Sequence, residues 1–148
     1  MGRTILVPLD GSAGSEAILP AVERIARVEG LTVRLLHVAA PVEVLLVDGH
    51  VVRYVDQEVA RIRDRARVYL MGAAATLGVA AEVRVRFGDP VEEIIREAGT
   101  GEVELIAMAT HRRTGLKRLL ERSVADRVKR ATRVPLLLVR HGARRTAA

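Results

Sequence analysis

The first residues that could do chemistry are Asp10 and Ser12, which follow a Pro8-Leu9 pair. The apolar run 5–7 precedes them and predicts a buried strand. A carboxylate placed just after a buried strand can hydrogen-bond a ribose hydroxyl of a ligand bound there. The same two side chains can instead cap the helix that follows, with Ser12 as its N-cap. Both roles stay open for Asp10, because they are compatible.

The histidines offer no second reactive centre. They stand at His37, His50, His111 and His141, without the spacing of zinc ligands. The chain has no cysteine, which excludes disulfides, thiolate metal sites and cysteine nucleophiles. His111 has no evident nucleophile partner, and we interpret it as a loop histidine. The sequence therefore predicts no catalytic residue and no metal site.

Positive charge is concentrated in the last third of the chain. Residues 1–104 hold 12 Lys and Arg against 16 Asp and Glu, whereas residues 105–148 hold 12 against 2. This asymmetry indicates a polyanionic ligand or partner, or else a solvated basic helix face with a basic tail. Three aromatic rings are too few for a base-stacking platform, and the basic segment 116–133 has no helix-turn-helix pattern. We therefore expect a small anionic ligand rather than specific nucleic-acid recognition.

The apolar runs are short. None approaches the length of a membrane-spanning helix, and the run at 5–7 is too short for a signal peptide. We therefore expect a cytoplasmic protein that does not bind membranes.

Elements of two kinds alternate along the chain and must position these groups. Short aliphatic runs predict five strands, at 5–7, 31–38, 80–87, 103–109 and 135–139. Helical spacing predicts four helices between them: one from Ser12 to Gly30, one at 57–77, one capped by Asp89 with Pro90 at its first position, and one ending near Thr132. The alternation predicts an α/β fold with one open five-stranded parallel sheet and helices on both faces. Ligands of such sheets bind where strand order reverses, which favours the loops after the first and fourth strands.

Residues 40–56 do not fit this alternation. The segment 44–52 resembles a small hairpin around Asp48-Gly49. An extension of the second crossover over the rim of the sheet is an equal alternative.

Three stretches together resemble the universal stress protein family. They are ILVPLDGS at 5–12, LLHV at 35–38 and the long segment 105–140, in the order and spacing of the family. The resemblance implies a Rossmann-like fold of the adenine nucleotide alpha hydrolase type, with strand order 3-2-1-4-5, over residues 1–141. Residues 142–148 are predicted to form a disordered basic tail.

In one branch of that family, ATP is held by a Gly-x-x-Gly-x9-Gly-Ser/Thr motif after the fourth strand. Here the three glycine positions fall on Ala109, Arg112 and Arg122, and only Ser123 matches, followed by Val124. The positions that line the adenine and ribose in the family do match. The resemblance thus implies a ligand site formed by Pro8, Leu9, Asp10, Val38, Met108, Ala109, Arg112, Arg122, Ser123 and Val124.

The two arginines allow two interpretations. They can fill the space of the phosphates, so that ATP binding is weakened or lost. They can instead pair with fewer phosphates through charge-assisted bonds, which would suit AMP, a cyclic nucleotide or another small anion. We favour weakened or lost ATP binding, and expect Mg²⁺ only if ATP binds.

The functional prediction is a ligand-sensing or partner-binding protein rather than a dedicated enzyme. One alternative is an ATP-binding member with weak ATPase or phosphotransferase activity, although the chain has no Walker-type lysine. Another is a dimeric scaffold that binds no nucleotide. The resemblance implies a homodimer, and the aliphatic last strand at a sheet edge points to an interface at 134–140.

Overall fold

Strands and helices alternate along the chain in the computed structural model, which describes residues 3–42, 46–51, 55–111 and 116–141. The strands are β1 (Thr4–Pro8), β2 (Thr32–Ala39), β3 (Leu46–Val47), β4 (His50–Val51), β5 (Ala81–Phe87), β6 (Val103–His111) and β7 (Leu136–His141). The helices are a 3-10 turn (Ser15–Ile18), then α1 (Leu19–Glu29), α2 (Val55–Ala75), α3 (Pro90–Ala98) and α4 (Leu116–Ala131). None of the helices in these ranges combines the length and the hydropathy that a bilayer crossing requires.

Five strands form one parallel sheet in the order β5-β2-β1-β6-β7. Apart from the two-residue strands β3 and β4, this is the predicted order 3-2-1-4-5. The central position of β1 explains its composition, since Ile5, Leu6 and Val7 are all fully buried between helices on the two faces. Strands β5 and β7 are the edges of the sheet.

Alternation along the strands divides the core into two clusters. Ile5 and Val7 point to the face covered by α1 and α2, where they meet Val22 and Leu70. Leu6 points to the other face, which α3 and α4 cover. We call these the apolar face and the ionic face.

The ionic face takes its name from a buried arginine on β2. Arg34, only 4% exposed, donates through Nη1 to Glu97 of α3 at 3.0 Å. Its Nη2 reaches Glu102 at 2.7 Å, and its Nε reaches Glu82 of β5 at 2.5 Å. Glu97, 2% exposed, also accepts from Arg86 Nε at 2.5 Å. Charged pairs thus tie α3 to two strands of the sheet.

The helix ends follow local sequence signals, with one correction. Gly30 ends α1 in the left-handed conformation at φ 67°, and Asp89 caps α3 by accepting from the Glu92 amide at 3.0 Å, as predicted. The prediction of Ser12 as N-cap of the first helix is wrong. The 3-10 turn stands before α1, so Ser12 Oγ accepts from the Ser15 amide at 3.1 Å instead.

Within the segment that does not fit the alternation, residues 46–51 form a hairpin. Strands β3 and β4 pair antiparallel, Leu46 with Val51 and Val47 with His50. Asp48 and Gly49 both have positive φ, at 53° and 75°, as a tight two-residue hairpin turn requires. The hairpin prediction is therefore confirmed. The predicted tail at 142–148 lies outside the described residues.

Candidate functional site

A cavity of about 280 Å³ opens where the strand order reverses, at the carboxyl ends of β1, β2 and β6. The first turns of α3 and the middle of α4 close it on the ionic face. Its described lining consists of Pro8, Leu9, Asp10, Ser15, Leu36, Val38, Pro90, Ile94, Met108, Ala109, Thr110, Val124 and Ala125. This is the place at which an open parallel sheet binds its ligands.

The lining combines apolar walls with a few polar groups. Only Asp10, Ser15 and Thr110 bring polar side chains to the described wall, and the remaining side chains are aliphatic, methionine or proline. A flat apolar ring fits such walls, while a few converging polar groups fix its orientation. The described wall has no histidine, lysine or cysteine beside these groups.

Hydrogen bonds fix the loop that carries Asp10. Asp10 Oδ1 accepts from the amide and the hydroxyl of Ser12, at 2.8 and 2.5 Å. Ser15 Oγ donates to the Ser12 carbonyl at 2.9 Å and accepts from the Asp10 amide at 3.3 Å. Gly11 supplies a positive φ of 91° between them. Asp10 is exposed and already organises this turn, so a ligand would meet a carboxylate whose position is set.

A second layer holds β1 in place behind the cavity. The Leu9 amide donates to the Leu36 carbonyl at 2.8 Å, which continues the pairing of β1 with β2. His37 Nδ1 lies 2.8 Å from the Leu9 carbonyl, so that nitrogen donates the bond. The ring of Tyr69 meets His37 edge-on at 6.3 Å. Burial, reinforced by the negative charge of Glu16, raises the pKa of Tyr69 above its usual 10.0, which keeps the phenol neutral.

The structure brings most of the predicted site residues together. Seven of them line the cavity: Pro8, Leu9, Asp10, Val38, Met108, Ala109 and Val124. Arg112 lies outside the described residues. Arg122 and Ser123 belong to α4, but their side chains lie outside the description. The role of the ten residues as ligand contacts stays a prediction.

Sequence reasoning missed six residues of the described lining. They are Ser15, Leu36, Pro90, Ile94, Thr110 and Ala125. The sequence did carry a signal for two of them, because Gly88-Asp89-Pro90 starts a helix at the carboxyl edge of the sheet. A helix that starts there places its first turns beside the ends of the neighbouring strands.

Metal ligands do not cluster in this part of the molecule. The described ranges contain no group of three or more His, Cys, Asp or Glu side chains placed to hold a metal ion.

The chain matches known proteins over most of its length. The sequence model of the "Universal stress protein family" matches residues 1–140. Universal stress protein YxiE of Bacillus subtilis is 28% identical over 148 residues, covering 95% of this chain and all of YxiE. A solved family member from Burkholderia pseudomallei is 27% identical, with a TM-score of 0.69 and coverage of 93% and 95% of the two chains.

Three more distant solved structures share the fold and hold nucleotides. A universal stress protein in complex with cAMP is 21% identical, with a TM-score of 0.65 and coverage of 94% of this chain and 97% of that one. An Archaeoglobus fulgidus protein in complex with dAMP is 16% identical, at 0.62, with coverage of 94% and 98%. An Arabidopsis thaliana protein with AMP bound is 15% identical, at 0.61, with coverage of 95% and 93%.

Proposed function

Because this chain belongs to the universal stress protein family, we propose that its cavity binds the nucleoside of an adenine nucleotide and that the protein senses this ligand. The observation that carries the proposal is the cavity at the switch point of the sheet. Its apolar walls suit a purine ring, and Asp10 stands where a carboxylate can accept from a ribose hydroxyl. The wall described above supports binding rather than turnover.

We propose that the ligand carries a single phosphate rather than three. A glycine whose backbone approaches a phosphate leaves no room for a Cβ atom. At the three glycine positions of the family's ATP-binding motif, this chain has Ala109, Arg112 and Arg122. A triphosphate needs the amides of the whole loop at once, whereas an arginine pairs bidentately with one phosphate. We therefore propose that a monophosphate or cyclic nucleotide binds more tightly than ATP. The cAMP, dAMP and AMP complexes of the family's fold support this direction.

Calorimetric titration of the purified protein tests the preference. Adenosine, AMP, cAMP and ATP, the last with and without Mg²⁺, are titrated in parallel into protein freed of co-purified nucleotide. AMP or cAMP is expected to bind at least about tenfold more tightly than ATP, a difference of about 1.4 kcal/mol. Tight ATP binding by the wild type would contradict the preference, and binding of none of the four would contradict the function itself.

A triple variant shows whether the arginines obstruct ATP or hold it. Ala109→Gly, Arg112→Gly and Arg122→Gly together are expected to raise ATP affinity, although two positive charges are lost. The single variant Ala109→Gly is the control, since it removes one methyl group from the cavity wall and leaves the charge unchanged. A loss of ATP affinity in the triple variant would identify the arginines as phosphate ligands.

Asp10 tests the nucleoside end. Asp10→Ala is expected to weaken any adenosine-containing ligand by about 1–3 kcal/mol, the value of a hydrogen bond to a charged group. Asp10→Asn keeps an oxygen that can accept from the Ser12 amide but removes the negative charge. This variant therefore distinguishes an effect on the turn from an effect on ligand binding. Unchanged affinity with a lowered melting temperature in Asp10→Ala would leave Asp10 with a structural role only.

We also propose that the protein is a homodimer joined through 134–140. Strand β7 is a sheet edge, and Leu138 on it is 39% exposed although its neighbours pack against the core. Antiparallel pairing of β7 with its own copy would satisfy the edge and cover Leu138. Light scattering of Leu138→Lys is expected to show monomers while the wild type is dimeric. A wild type that stays monomeric at micromolar concentration would reject the dimer.

A further inference from the structure

The outer side of the helix pair α3 and α4 carries an open groove with a mixed lining. Its floor is apolar and its rims are arginines that come from both helices. We call it the α3–α4 groove. Its described lining consists of the floor residues Val91, Ile95 and Ala131, the rim arginines Arg96, Arg127 and Arg130, and Glu92.

The described lining of the groove carries three arginines and one carboxylate, and two of the arginines have ion-pair partners beside it. Arg127 lies 3.8 Å from Asp89, a loose pair in which both side chains are about half exposed. Arg96 pairs with Glu93 at 3.1 Å. Arg130 has no ion pair with any side chain that the structure describes, and Glu92 is the one carboxylate in the described lining of the groove. Arg130 and the loosely paired Arg127 are therefore the rim arginines that can bind a further carboxylate.

The groove and the ligand cavity share their walls. On α3, Pro90 and Ile94 face the cavity, while the residues that follow each of them, Val91 and Ile95, face the groove. On α4, Val124 and Ala125 face the cavity, whereas Arg127 and Ala131 face the groove. A ligand that changes the spacing of the two helices must change the width of the groove as well, because packed helices move as units.

We propose that the α3–α4 groove docks an acidic amphipathic segment of a partner protein, and that occupancy of the cavity changes its affinity. The apolar side of the segment lies on the floor between the helices, and its carboxylates pair with the arginines of the two rims. The ligand dependence rests on the proposed function, whereas the docking itself does not.

The lining favours a protein segment over a nucleic acid. A sugar-phosphate backbone is charged along its whole length and gains nothing from an apolar floor. The described lining of the groove also has no aromatic side chain on which a base could stack. An amphipathic helix uses both features, since its apolar stripe fills a groove and its charges meet the rim.

Fluorescence anisotropy with a designed peptide tests the docking. The probe is a labelled synthetic helix of about 14 residues with leucine at helical spacing and glutamate elsewhere, and a scrambled peptide of equal composition is the reference. The wild type is expected to bind the probe and not the scrambled peptide. Arg130→Glu is expected to reduce the affinity for the probe about tenfold or more, because it reverses the charge of the rim arginine that has no described ion pair.

Lys129→Glu is the matched control. It makes the same charge change one residue away on an exposed position outside the described groove lining, and it is expected to change the affinity less than about twofold. Equal losses in Arg130→Glu and Lys129→Glu would overturn the proposal in favour of diffuse electrostatics. Equal binding of the scrambled peptide would overturn it too, as would displacement of the probe by a DNA duplex whose own binding also depends on Arg130.

A second titration separates the coupling from the docking. The probe is measured with and without saturating AMP or cAMP, after calorimetry has shown whether either nucleotide binds. A shift of the probe affinity by about threefold or more supports the coupling. Nucleotide binding with no shift overturns the coupling, whereas failure of nucleotide binding rejects the proposed function and leaves the docking to be judged from the probe alone.

Discussion

The two faces of the sheet are built from different interactions. On the apolar face, aliphatic side chains of β1 and β2 meet α1 and α2 in a cluster without a buried charge among its members. On the ionic face, Arg34 is buried among carboxylates, and two of its partners, Glu97 and Glu102, follow it by more than sixty residues in the sequence. The face that carries the candidate site is thus the one with buried charge.

The two faces therefore differ in how strictly they fix the positions of their helices. Apolar contacts are non-directional, so a helix on the apolar face can shift slightly and still bury the same area. Ion pairs with hydrogen bonds are directional, and Glu97 holds α3 at two points, on Arg34 and on Arg86. Since α3 forms one wall of the cavity, we infer that the ionic face fixes the position of that wall.

The largest expected effect comes from removing the central charge of the ionic face. Glu97→Gln keeps the shape of the side chain and leaves three arginines, Arg34, Arg84 and Arg86, less compensated. We expect a loss of about 3 kcal/mol in the free energy of unfolding, at the low end for broken buried pairs, because Arg34 keeps its other partners. Urea denaturation measures it. Glu104→Gln is the control, because its pair with Arg3 is about half exposed and contributes about 1 kcal/mol or less.

We expect an equally conservative substitution on the apolar face to reduce the free energy of unfolding by less. Leu70 is fully buried between α2 and the sheet. Leu70→Met conserves volume, and we expect a loss of less than about 1.5 kcal/mol in the same denaturation experiment. If Leu70→Met cost as much as Glu97→Gln, the distinction between a directional and a non-directional face would not hold.

The smallest expected effect is a change in how the stability of the protein depends on pH. Hydrogen bonding to Arg34, together with its positive charge, holds the pKa of Glu102 below its usual 4.5. A carboxyl whose pKa is lowered by folding adds stability above its unfolded pKa, and that contribution is lost as the pH falls through the folded value. We expect Glu102→Gln to reduce stability at neutral pH and to lose less of its remaining stability than the wild type below pH 4.5. Denaturation curves recorded from neutral to acidic pH compare the two, and parallel profiles would contradict the assignment.

The sequence was sufficient to predict the main strands and helices and their order. Aliphatic runs mark β1 and β2, Gly30 marks the end of α1, and Asp89 with Pro90 marks the start of α3. These signals are local, so periodicity and capping rules recover them. The exception was the start of α1, where a 3-10 turn intervenes and Ser12 serves the turn.

The ionic face could not be predicted in the same way. Arg34 stands inside an aliphatic strand, and its spacing does not reveal which distant carboxylates surround it. Its partners depend on the register of β2 with β5 and on the rotation of α3, which are tertiary properties. The lining of the cavity could be predicted in part. The resemblance supplied the residues after β1 and β6, whereas Pro90 and Ile94 needed the packing of α3.

The central place of β1 has a consequence for synthesis on the ribosome. One of its neighbours, β2, follows within about thirty residues, but the other, β6, begins at Val103. The nascent chain therefore carries β1 with one open backbone edge, and with Leu6 uncovered, until some hundred residues have been made. At ordinary elongation rates of about 5–20 residues per second, this interval lasts several seconds. During that time an aliphatic strand has an unpaired backbone edge, so β1 is a segment through which premature association of unfinished chains would begin.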